Sequence, residues 1–480
     1  METIWNTFDS QYYLTATHVF TRLLGVIYFF AFFPFIFQIK GLLGHKGILP
    51  IETYLQFIWR RFHWKGYYYV PSLFWFNSTD RALLTVVIVG MILSVLLALN
   101  VYPLILIPLL YILYLSIIST GQDFLGFGWE IFLMEVTCNA FFLNVMSPPN
   151  PLVWVSINLL LFRFHFQAGI SKFLSRDKNW RNMTALCYHY ETQPLPNMQA
   201  WFFHQLPMWI HKGCCAMMFF VELVVPFAIF APQEVRLAVW VLLAGLQVSI
   251  WFTGNLSYLN HFTFVFCTIL VGDTYFKQFF GISVETPPTT EILPIAIASM
   301  AGTILIFLQC ISLWNYFLFN RTFYEILERV QPFHIANRYG IFAVMTTKRY
   351  EIIVEGSEDG KEWKEYMFRY KPSELNRHPR RVSPYQPRLD WQAWFLPFRN
   401  YEQNLWFQLF LQRLLEGSKD VVGLMRYNPF PNHPPQYIRA VAYDYKFSDW
   451  KSLWKNGVWW QREYVGLYSP VLHLEESPFI

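Results

Sequence analysis

The sequence has few charged residues. Asp, Glu, Lys and Arg make up 14% of its 480 residues, against about 25% in ordinary soluble domains. By contrast, 54% of the residues are hydrophobic and 20% are aromatic. A single soluble core could not bury so much apolar surface, so membrane lipid is the expected surrounding, and Trp and Tyr suit its interfaces. The net charge of +5 includes no basic run, so no nucleic-acid partner is predicted.

Cysteine motifs and catalytic signatures are also missing. The six cysteines are scattered, without a CxxC or Cys/His spacing, so the sequence predicts neither a disulfide framework nor a metal site. It contains no Gly-x-Ser-x-Gly elbow, P-loop, HExxH motif or Gly-rich dinucleotide fingerprint. The chain therefore lacks the signature of a soluble enzyme, and no cofactor is predicted.

Long apolar runs dominate residues 1–320. A membrane span needs about 20 mostly apolar residues, so these runs predict a polytopic α-helical membrane domain with seven to nine spans. The second and third runs are so close together that they form either a tight hairpin or one broken helix. The fourth and eighth are short enough to be re-entrant. The candidate spans are 18–39, 82–100, 101–119, 131–146, 152–171, 214–232, 235–252, 257–272 and 292–320.

Two long connections, about 40–81 and 172–213, interrupt the spans and carry basic and aromatic residues. The positive-inside rule would place them in the cytoplasm, but long loops can cross the membrane whatever their charge. Charge alone therefore leaves the orientation of the protein open.

The composition becomes polar after Arg321. Residues 325–480 are predicted to form a water-facing α+β domain that is rich in strands. Alternating β-branched and aromatic residues on either side of a turn are typical of a β-hairpin, and apolar residues at helical spacing indicate helices. The predicted hairpin comprises Tyr350–Val354, a turn at Glu355–Gly360, and Trp363–Tyr370. A further strand is predicted at Ile438–Phe447, and helices at Trp391–Phe398 and Leu405–Leu415.

A polar stretch begins inside the span 152–171. Charged groups at that depth usually face the bundle interior or a water-filled cavity. One interpretation is that a His, a Glu and two Tyr close together supply acid–base groups; the other is a hydrogen-bonded loop that packs against the spans. The residues concerned are Arg163, His165, Gln167, Lys172, Trp180, Arg181, Tyr188, His189, Tyr190 and Glu191.

The C-terminal domain also has dense clusters of Arg, Trp and Pro. Prolines preset rigid turns, and Arg stacks on aromatic faces. These clusters form either a peptide-binding surface or a brace that holds the domain on the membrane. The candidate residues are Arg388, Asp390, Trp391, Trp460 and Arg462.

Several stretches, in order along both domains, resemble the lipase maturation factor family. They are Trp180–Thr184, Tyr188–Asn197, Gly245–Gln247 with Thr253–Asn255, Glu351–Gly360 with Trp363, Pro387–Gln392, Asn428–Pro431 and Trp460–Arg462. The resemblance implies a multi-span protein whose C-terminal domain lies on the lumenal side of the endoplasmic reticulum, or outside the cytoplasmic membrane in a bacterium. It also implies a non-enzymatic role in the folding or assembly of secreted clients such as lipases, which the C-terminal domain would engage.

A shorter run, Phe166–Lys172 followed by Trp180, resembles the membrane domain of vitamin K-dependent γ-carboxylase. In that family a lysine in the corresponding place acts as a base. The resemblance implies an alternative function, a membrane enzyme with Lys172 as general base. A lysine at a membrane boundary can be desolvated and become a usable base, or it can extend to the interface and remain a cation.

The number of spans predicts how the two domains meet. Four candidate spans separate the loop 172–213 from the C-terminal domain, and an even number returns the chain to the same face. We therefore expect the loop around Tyr188–Pro196 to contact the C-terminal domain. We also expect Arg388–Trp391 to pack on this loop, and polar residues of both parts to bound one pocket.

Overall fold

The computed structural model describes residues 10–474, and the N-terminal two thirds of this range is helical. The helices are α1 (Leu14–Phe32), α2 (Phe35–Leu43), α3 (Ile51–Phe62), α4 (Gly66–Tyr69), α5 (Asp80–Ala98), α6 (Pro103–Thr120), α7 (Gly128–Leu143), α8 (Pro151–Leu174), α9 (Lys178–Arg181), α10 (Leu186–Thr192), α11 (Met198–His204), α12 (Met208–Leu223), α13 (Gln233–Thr253), α14 (Leu259–Cys267), α15 (Asp273–Phe280), α16 (Ile292–Phe317) and α17 (Arg321–Val330).

Within residues 10–474, seven helical segments are long and apolar enough to cross a membrane. They are Ser10–Phe32, Asp80–Ala98, Pro103–Thr120, Pro151–Leu174, Met208–Phe230, Gln233–Thr253 and Ile292–Phe317. The shorter helices α7 and α14 coincide with the two short predicted runs. The polytopic helical fold and the predicted range of seven to nine spans are confirmed.

The runs at 82–119 form a hairpin rather than one broken helix. Asn100 and Tyr102 have positive φ angles of 63° and 38°, a backbone conformation found mainly in turns. Pro103 then opens α6 as its first residue, where the missing N–H of proline has no helical partner to lose. As a result, α5 and α6 pack against each other.

Helix α8 lies at the centre of the bundle. Its start is fixed by Asn150, whose side chain accepts a hydrogen bond from the Leu152 N–H, and by Pro151 at the first position. In the most apolar 18-residue stretch of α8, 72% of the residues are buried, against 28% in the corresponding stretch of α5. Helices α7, α12 and α16 pack around it. The polar residues of α8 therefore face protein rather than lipid.

In the C-terminal domain, the described residues form one antiparallel sheet of order β2-β1-β3-β4. Val354 pairs with Tyr366 in the predicted hairpin, and Ile353 pairs with Val441 of the further strand predicted at Ile438–Phe447. The strand-rich α+β fold is confirmed, whereas β4 and the helix before it were not predicted. The strands are β1 (Arg349–Ser357), β2 (Lys364–Tyr366), β3 (Tyr437–Phe447) and β4 (Trp460–Leu467), and the helices are α18 (Arg388–Ala393), α19 (Leu405–Leu415), α20 (Lys419–Val422) and α21 (Trp450–Asn456).

Both long connections lie on the same face of the bundle as the C-terminal domain. In the first connection, the Gly47 carbonyl accepts a hydrogen bond from Arg413 Nε at 3.0 Å. In the second, the Glu191 carbonyl accepts one from Arg349 Nη1, also at 3.0 Å. The expected contact between the loop 172–213 and the C-terminal domain is therefore confirmed.

Candidate functional site at the junction of the two domains

Arg349, the first residue of β1, binds the backbone of the loop 172–213. Its guanidinium donates hydrogen bonds to the carbonyl oxygens of Glu191, Gln193 and Pro194 at 3.0, 2.5 and 3.0 Å. Its Nη2 also lies 2.5 Å from Glu351 Oε1. The rigid fork of Arg can satisfy several acceptors at once, so this one buried side chain fixes the turn after α10 on the sheet.

Asn255 joins the loop, the membrane bundle and the C-terminal domain. Its Nδ2 donates to the carbonyl oxygens of Leu195 and Arg380, both at 2.9 Å. Its Oδ1 accepts hydrogen bonds from the N–H groups of Val382 and Ser383 at 2.8 and 3.1 Å. All the hydrogen-bonding capacity of this buried amide is used between elements, so Asn255 is a structural bridge.

Aromatic residues of the loop and the sheet form a shared cluster. Tyr190 and Trp201 from the loop are buried with Tyr445 and Trp460 from the sheet. Trp460 also packs on Phe447, with 4.4 Å between the ring centroids. The loop and the sheet therefore share an apolar core in addition to hydrogen bonds, and two of the candidate residues, Tyr190 and Trp460, are part of that core.

The remaining candidates in the loop have different surroundings. Trp180 is buried and donates from Nε1 to the Phe342 carbonyl at 2.9 Å. The His189 ring meets Phe342 edge to face. Arg181 and Tyr188 are exposed. Only these last two are free to touch a partner, and the interpretation of the stretch as a packed loop fits the others.

Burial controls the charge of the loop's titratable groups. It lowers the pKa of His189 to about 4 and that of His204 to about 4. It raises the pKa of Glu191, whose carboxylate accepts a hydrogen bond from the Phe447 N–H at 2.7 Å. His204 Nε2 is 3.7 Å from Glu191 Oε2, but a neutral imidazole makes no ion pair at neutral pH. At neutral pH both imidazoles are therefore neutral, and Glu191 is bonded to the sheet.

Arg388 does not pack on the loop, so that expectation was wrong. Its guanidinium lies 2.5 Å from Glu130 Oε1 in the first turn of α7 and above the ring of Phe35. Buried charges in membrane proteins pair with one another, and Glu130 is the carboxylate that pairs with Arg388. Trp391 packs edge to face on Trp129.

Asp390 and Arg462 also have internal partners. Asp390 Oδ1 accepts hydrogen bonds from the N–H groups of Tyr370 and Lys371, at 2.7 and 3.0 Å, and burial raises the pKa of its carboxyl. Arg462 Nη2 lies 2.8 Å from Glu365 Oε1 across the sheet. Asp390 and Arg462 thus make contacts within the C-terminal domain, whereas Arg388 joins the domain to the bundle.

Lys172 is held as one member of a buried ion pair. Its Nζ lies 2.7 and 3.0 Å from the two carboxylate oxygens of Glu222, and 3.0 Å from the Ala168 carbonyl. Three acceptors use the three donors of the ammonium group. A base needs a free lone pair and a substrate within reach, so this geometry favours a structural cation over a general base.

A second polar centre lies inside the bundle around Arg163. Its Nη1 is 2.8 Å from Glu135 Oε1, and its Nη2 donates to the Asn337 carbonyl at 2.6 Å. Glu135 Oε2 in turn accepts hydrogen bonds from the N–H of Asn337 and the hydroxyl of Tyr339. The segment 334–346, which precedes β1, therefore inserts among the membrane helices and satisfies their buried charges.

His165 and Gln167 are the other buried polar residues predicted on α8, and both have hydrogen-bond partners inside the protein. His165 Nδ1 is 3.0 Å from the Leu161 carbonyl, one turn back in the same helix. Gln167 Oε1 accepts a hydrogen bond from the Tyr339 N–H at 3.1 Å. Both are buried, and Gln167 adds a further contact to the inserted segment.

A cavity of about 600 Å³ lies between the bundle and the C-terminal domain. Its walls come from both parts of the protein and are mostly apolar, unlike the polar shared pocket that we expected. Lys172, Arg163, His165 and His189 are not among the residues that line it. Its lining includes Trp129, Phe164, Pro194, Leu259, Arg338, Trp391, Trp394 and Phe398.

The main partners missing from the sequence analysis are Glu130, Glu135 and Glu222. Each is a carboxylate within or beside an apolar run. Isolated charges in membrane helices require partners, so their positions in the sequence already marked them as candidates for ion pairs. Arg349 gave no such signal, because it is the first residue of an ordinary strand rather than a charge in an apolar run. Among residues 10–474, no group of three or more His, Cys, Asp or Glu side chains could hold a metal ion.

Comparison with known proteins agrees with this architecture. Residues 15–278 match the family model of the lipase maturation factor transmembrane domain, and residues 335–470 match that of the lipase maturation factor C-terminal domain. The chain belongs to the lipase maturation factor family. The second match begins at the inserted segment, so both matched regions contribute to the Glu135 centre.

Individual lipase maturation factors are similar over nearly the whole chain. Lipase maturation factor 1 of Bos taurus is 32% identical, with 95% of this chain and 89% of the relative covered. Lipase maturation factor 1 of Mus musculus is 31% identical, covering 95% and 87%, and lipase maturation factor 2 of Xenopus laevis is 30% identical, covering 95% and 82%. No solved structure matches the chain.

Proposed function

We propose that this member of the lipase maturation factor family is a non-enzymatic membrane protein that assists the folding or assembly of secreted clients such as lipases. The names of its relatives support this role. The observation that carries it is that the polar residues resembling an active site are used internally, with Lys172 paired to Glu222 and Arg349 bound to the loop. What remains available to a partner is surface rather than a reactive centre.

The client would meet the C-terminal domain on the extracytoplasmic side, which is the lumen of the endoplasmic reticulum in a eukaryote or the outside of the cytoplasmic membrane in a bacterium. β4 is an edge strand, and Tyr464, Val465 and Leu467 on it are exposed. An edge strand has unpaired backbone groups that an extended chain can join. A client segment that has not yet folded is therefore the partner that β4 suits best.

Co-expression with a secreted lipase tests client binding. We expect the lipase to co-purify with the wild-type protein and its secreted activity to rise. Val465→Lys should weaken both, because a charge on the edge discourages strand pairing. Tyr324→Lys, on exposed α17, is the matched control and should change neither. Loss of binding in both variants, or in neither, would contradict the assignment to β4.

Paired substitutions at Lys172 and Glu222 distinguish the proposed folding function from the alternative, an enzyme with Lys172 as general base. Lys172→Met alone should reduce the folded yield, because it leaves Glu222 buried and unpaired. The double variant Lys172→Met with Glu222→Met removes both charges and should regain folded protein and client activity. A double variant that unfolds at the wild-type temperature but fails to support the client would favour the general-base alternative.

A further inference from the structure

The cavity between the domains has the size and lining of a ligand site. Its volume of about 600 Å³ falls within the roughly 300–1,000 Å³ typical of small-molecule pockets. Trp129, Phe164 and Leu259 line it from the bundle, and Trp391 and Trp394 line it from the C-terminal domain. Such a lining offers a ligand apolar contact and almost no hydrogen bonds.

The cavity extends to the depth of the membrane. Phe164 precedes Leu174, the last residue of α8, by ten residues, which is roughly 15 Å of helix. Trp391 and Trp394 line it from the C-terminal domain, in and just after α18. A ligand that filled this space would therefore contact both a membrane helix and the C-terminal domain.

One cation lies on the cavity wall. Arg338 is exposed, and its Nη2 donates to the carbonyl of Asn315, in the last turn of the span α16, at 2.9 Å. Within the described range 10–474, no carboxylate lies within ion-pair distance of this guanidinium. It is therefore placed at the end of a membrane helix with donors left for an anion, and Arg binds carboxylate and phosphate oxygens in pairs.

We propose that this cavity binds an acyl chain with an anionic headgroup, the chain between Phe164 and Trp391 and the headgroup at Arg338. A fatty acid and an anionic phospholipid share this chemistry. The site does not depend on the proposed client function, since its ligand is a lipid and its walls exclude the exposed strand β4.

Gly128, at the start of α7, allows the cavity to be filled without strain. A Cβ atom built there would meet only Ile341 Cδ1, at 3.9 Å, so Gly128→Phe should extend its ring into the cavity. Gly213 on α12 has nothing within 4 Å and lies outside the cavity lining, so Gly213→Phe is the matched control. Arg338→Gln removes the cation and Arg338→Lys keeps it, while Arg321→Gln controls for loss of a surface Arg.

The experiment measures equilibrium binding of radiolabelled oleate and oleyl alcohol to the delipidated full-length protein in detergent. We expect saturable binding of one oleate per chain, which Gly128→Phe abolishes and Gly213→Phe preserves. Arg338→Gln should weaken oleate binding about tenfold, the loss of one charge-assisted contact of roughly 1.4 kcal/mol, and leave oleyl alcohol unchanged. The oleate affinity of Arg338→Lys should lie between those of Arg338→Gln and the wild type, and that of Arg321→Gln should equal the wild type.

Competition by phosphatidylglycerol distinguishes the two sources of the headgroup. Oleate binding that phosphatidylglycerol does not displace identifies a fatty acid, and displacement at equimolar lipid identifies the bilayer phospholipid. The proposal is overturned if neither lipid binds saturably, if Gly128→Phe and Gly213→Phe bind alike, or if Arg338→Gln affects oleate and oleyl alcohol equally. Thermal unfolding of each variant checks that it is folded.

Discussion

At the scale of single residues, buried ion pairs constrain this protein most strongly. Arg163–Glu135, Arg388–Glu130 and Lys172–Glu222 each join side chains that are almost wholly removed from solvent. Leaving one member of such a pair without its partner costs far more than the pair contributes as a whole. Single and double substitutions should therefore differ sharply in effect.

Glu135→Gln tests how much the buried Arg163–Glu135 pair stabilises the bundle. Arg163 would remain charged without a counterion, so we expect a loss of stability of about 3–5 kcal/mol, seen as a lower apparent Tm in detergent and a smaller folded yield. Adding Arg163→Met should recover part of the loss. Glu325→Gln breaks the exposed Arg321–Glu325 pair and should change Tm little. Equal effects at Glu135 and Glu325 would contradict this account.

At the scale of elements, the key contact is between β1 and the turn after α10. The two elements share no regular hydrogen-bonding pattern, and the guanidinium of Arg349 joins them through three backbone carbonyls. Lys can supply charge but not a planar fork. The hydrogen bonds between β1 and this turn therefore depend on the shape of one side chain.

Arg349→Lys should loosen the loop without unfolding the bundle. We expect faster amide hydrogen exchange over residues 186–196, because the carbonyls in the turn lose their donors, while exchange in α8 stays unchanged. Arg439→Lys is the matched control, since Arg439 lies on β3 of the same sheet and pairs with Glu355 rather than with the loop. Protection of 186–196 that is the same in both variants would remove the special role given to Arg349.

Acidification should weaken the same contact through His189 and His204. Burial lowers the pKa of each to about 4, whereas an unfolded histidine titrates near 6.5. The unfolded chain therefore binds more protons between these values, and stability falls as the pH drops from about 6.5 to about 4. The raised pKa of Glu191 acts in the opposite direction at the acid end.

The measurement is apparent Tm in detergent as a function of pH. At pH 5 each histidine should reduce stability by up to about 2 kcal/mol relative to neutral pH. His204→Gln cannot be protonated and should flatten the decrease, while exposed His45→Gln should leave it as in the wild type. A wild-type Tm that stays level from pH 7 to pH 5 would show that these imidazoles are not excluded from water.

At the scale of the whole molecule, the structure places both long connections and the C-terminal domain on one face. In a cysteine-free background, Arg181→Cys in the loop and Glu358→Cys in the sheet should react with an impermeant maleimide from the same side of sealed vesicles. Leu99→Cys, in the hairpin between α5 and α6, should react from the other side. Labelling of Arg181→Cys and Glu358→Cys from opposite sides would contradict the shared face.

The sequence alone determined the class of fold and the local elements. The number of spans, the hairpin at 350–370, the helix Leu405–Leu415 and the strand at 438–447 follow from composition and periodicity, because lipid and the β-sheet each impose a short-range pattern on the chain. The shared face also followed, because the short run 257–272, which contains helix α14, was counted as a span together with the three longer ones after the loop. The family resemblance rested on short stretches, two of which, Tyr188–Asn197 and Trp460–Arg462, the fold brings together at the junction.

Only the tertiary structure decided which charges neutralise each other. Arg163, Lys172 and Arg388 were visible as cations in the sequence, but their partners Glu135, Glu222 and Glu130 lie 28, 50 and 258 residues away. Local patterns carry no information over such separations, because the pairing depends on how helices pack and where the segment 334–346 inserts. For the same reason the cavity could not be predicted, since its walls come from parts of the chain that meet only in the folded protein.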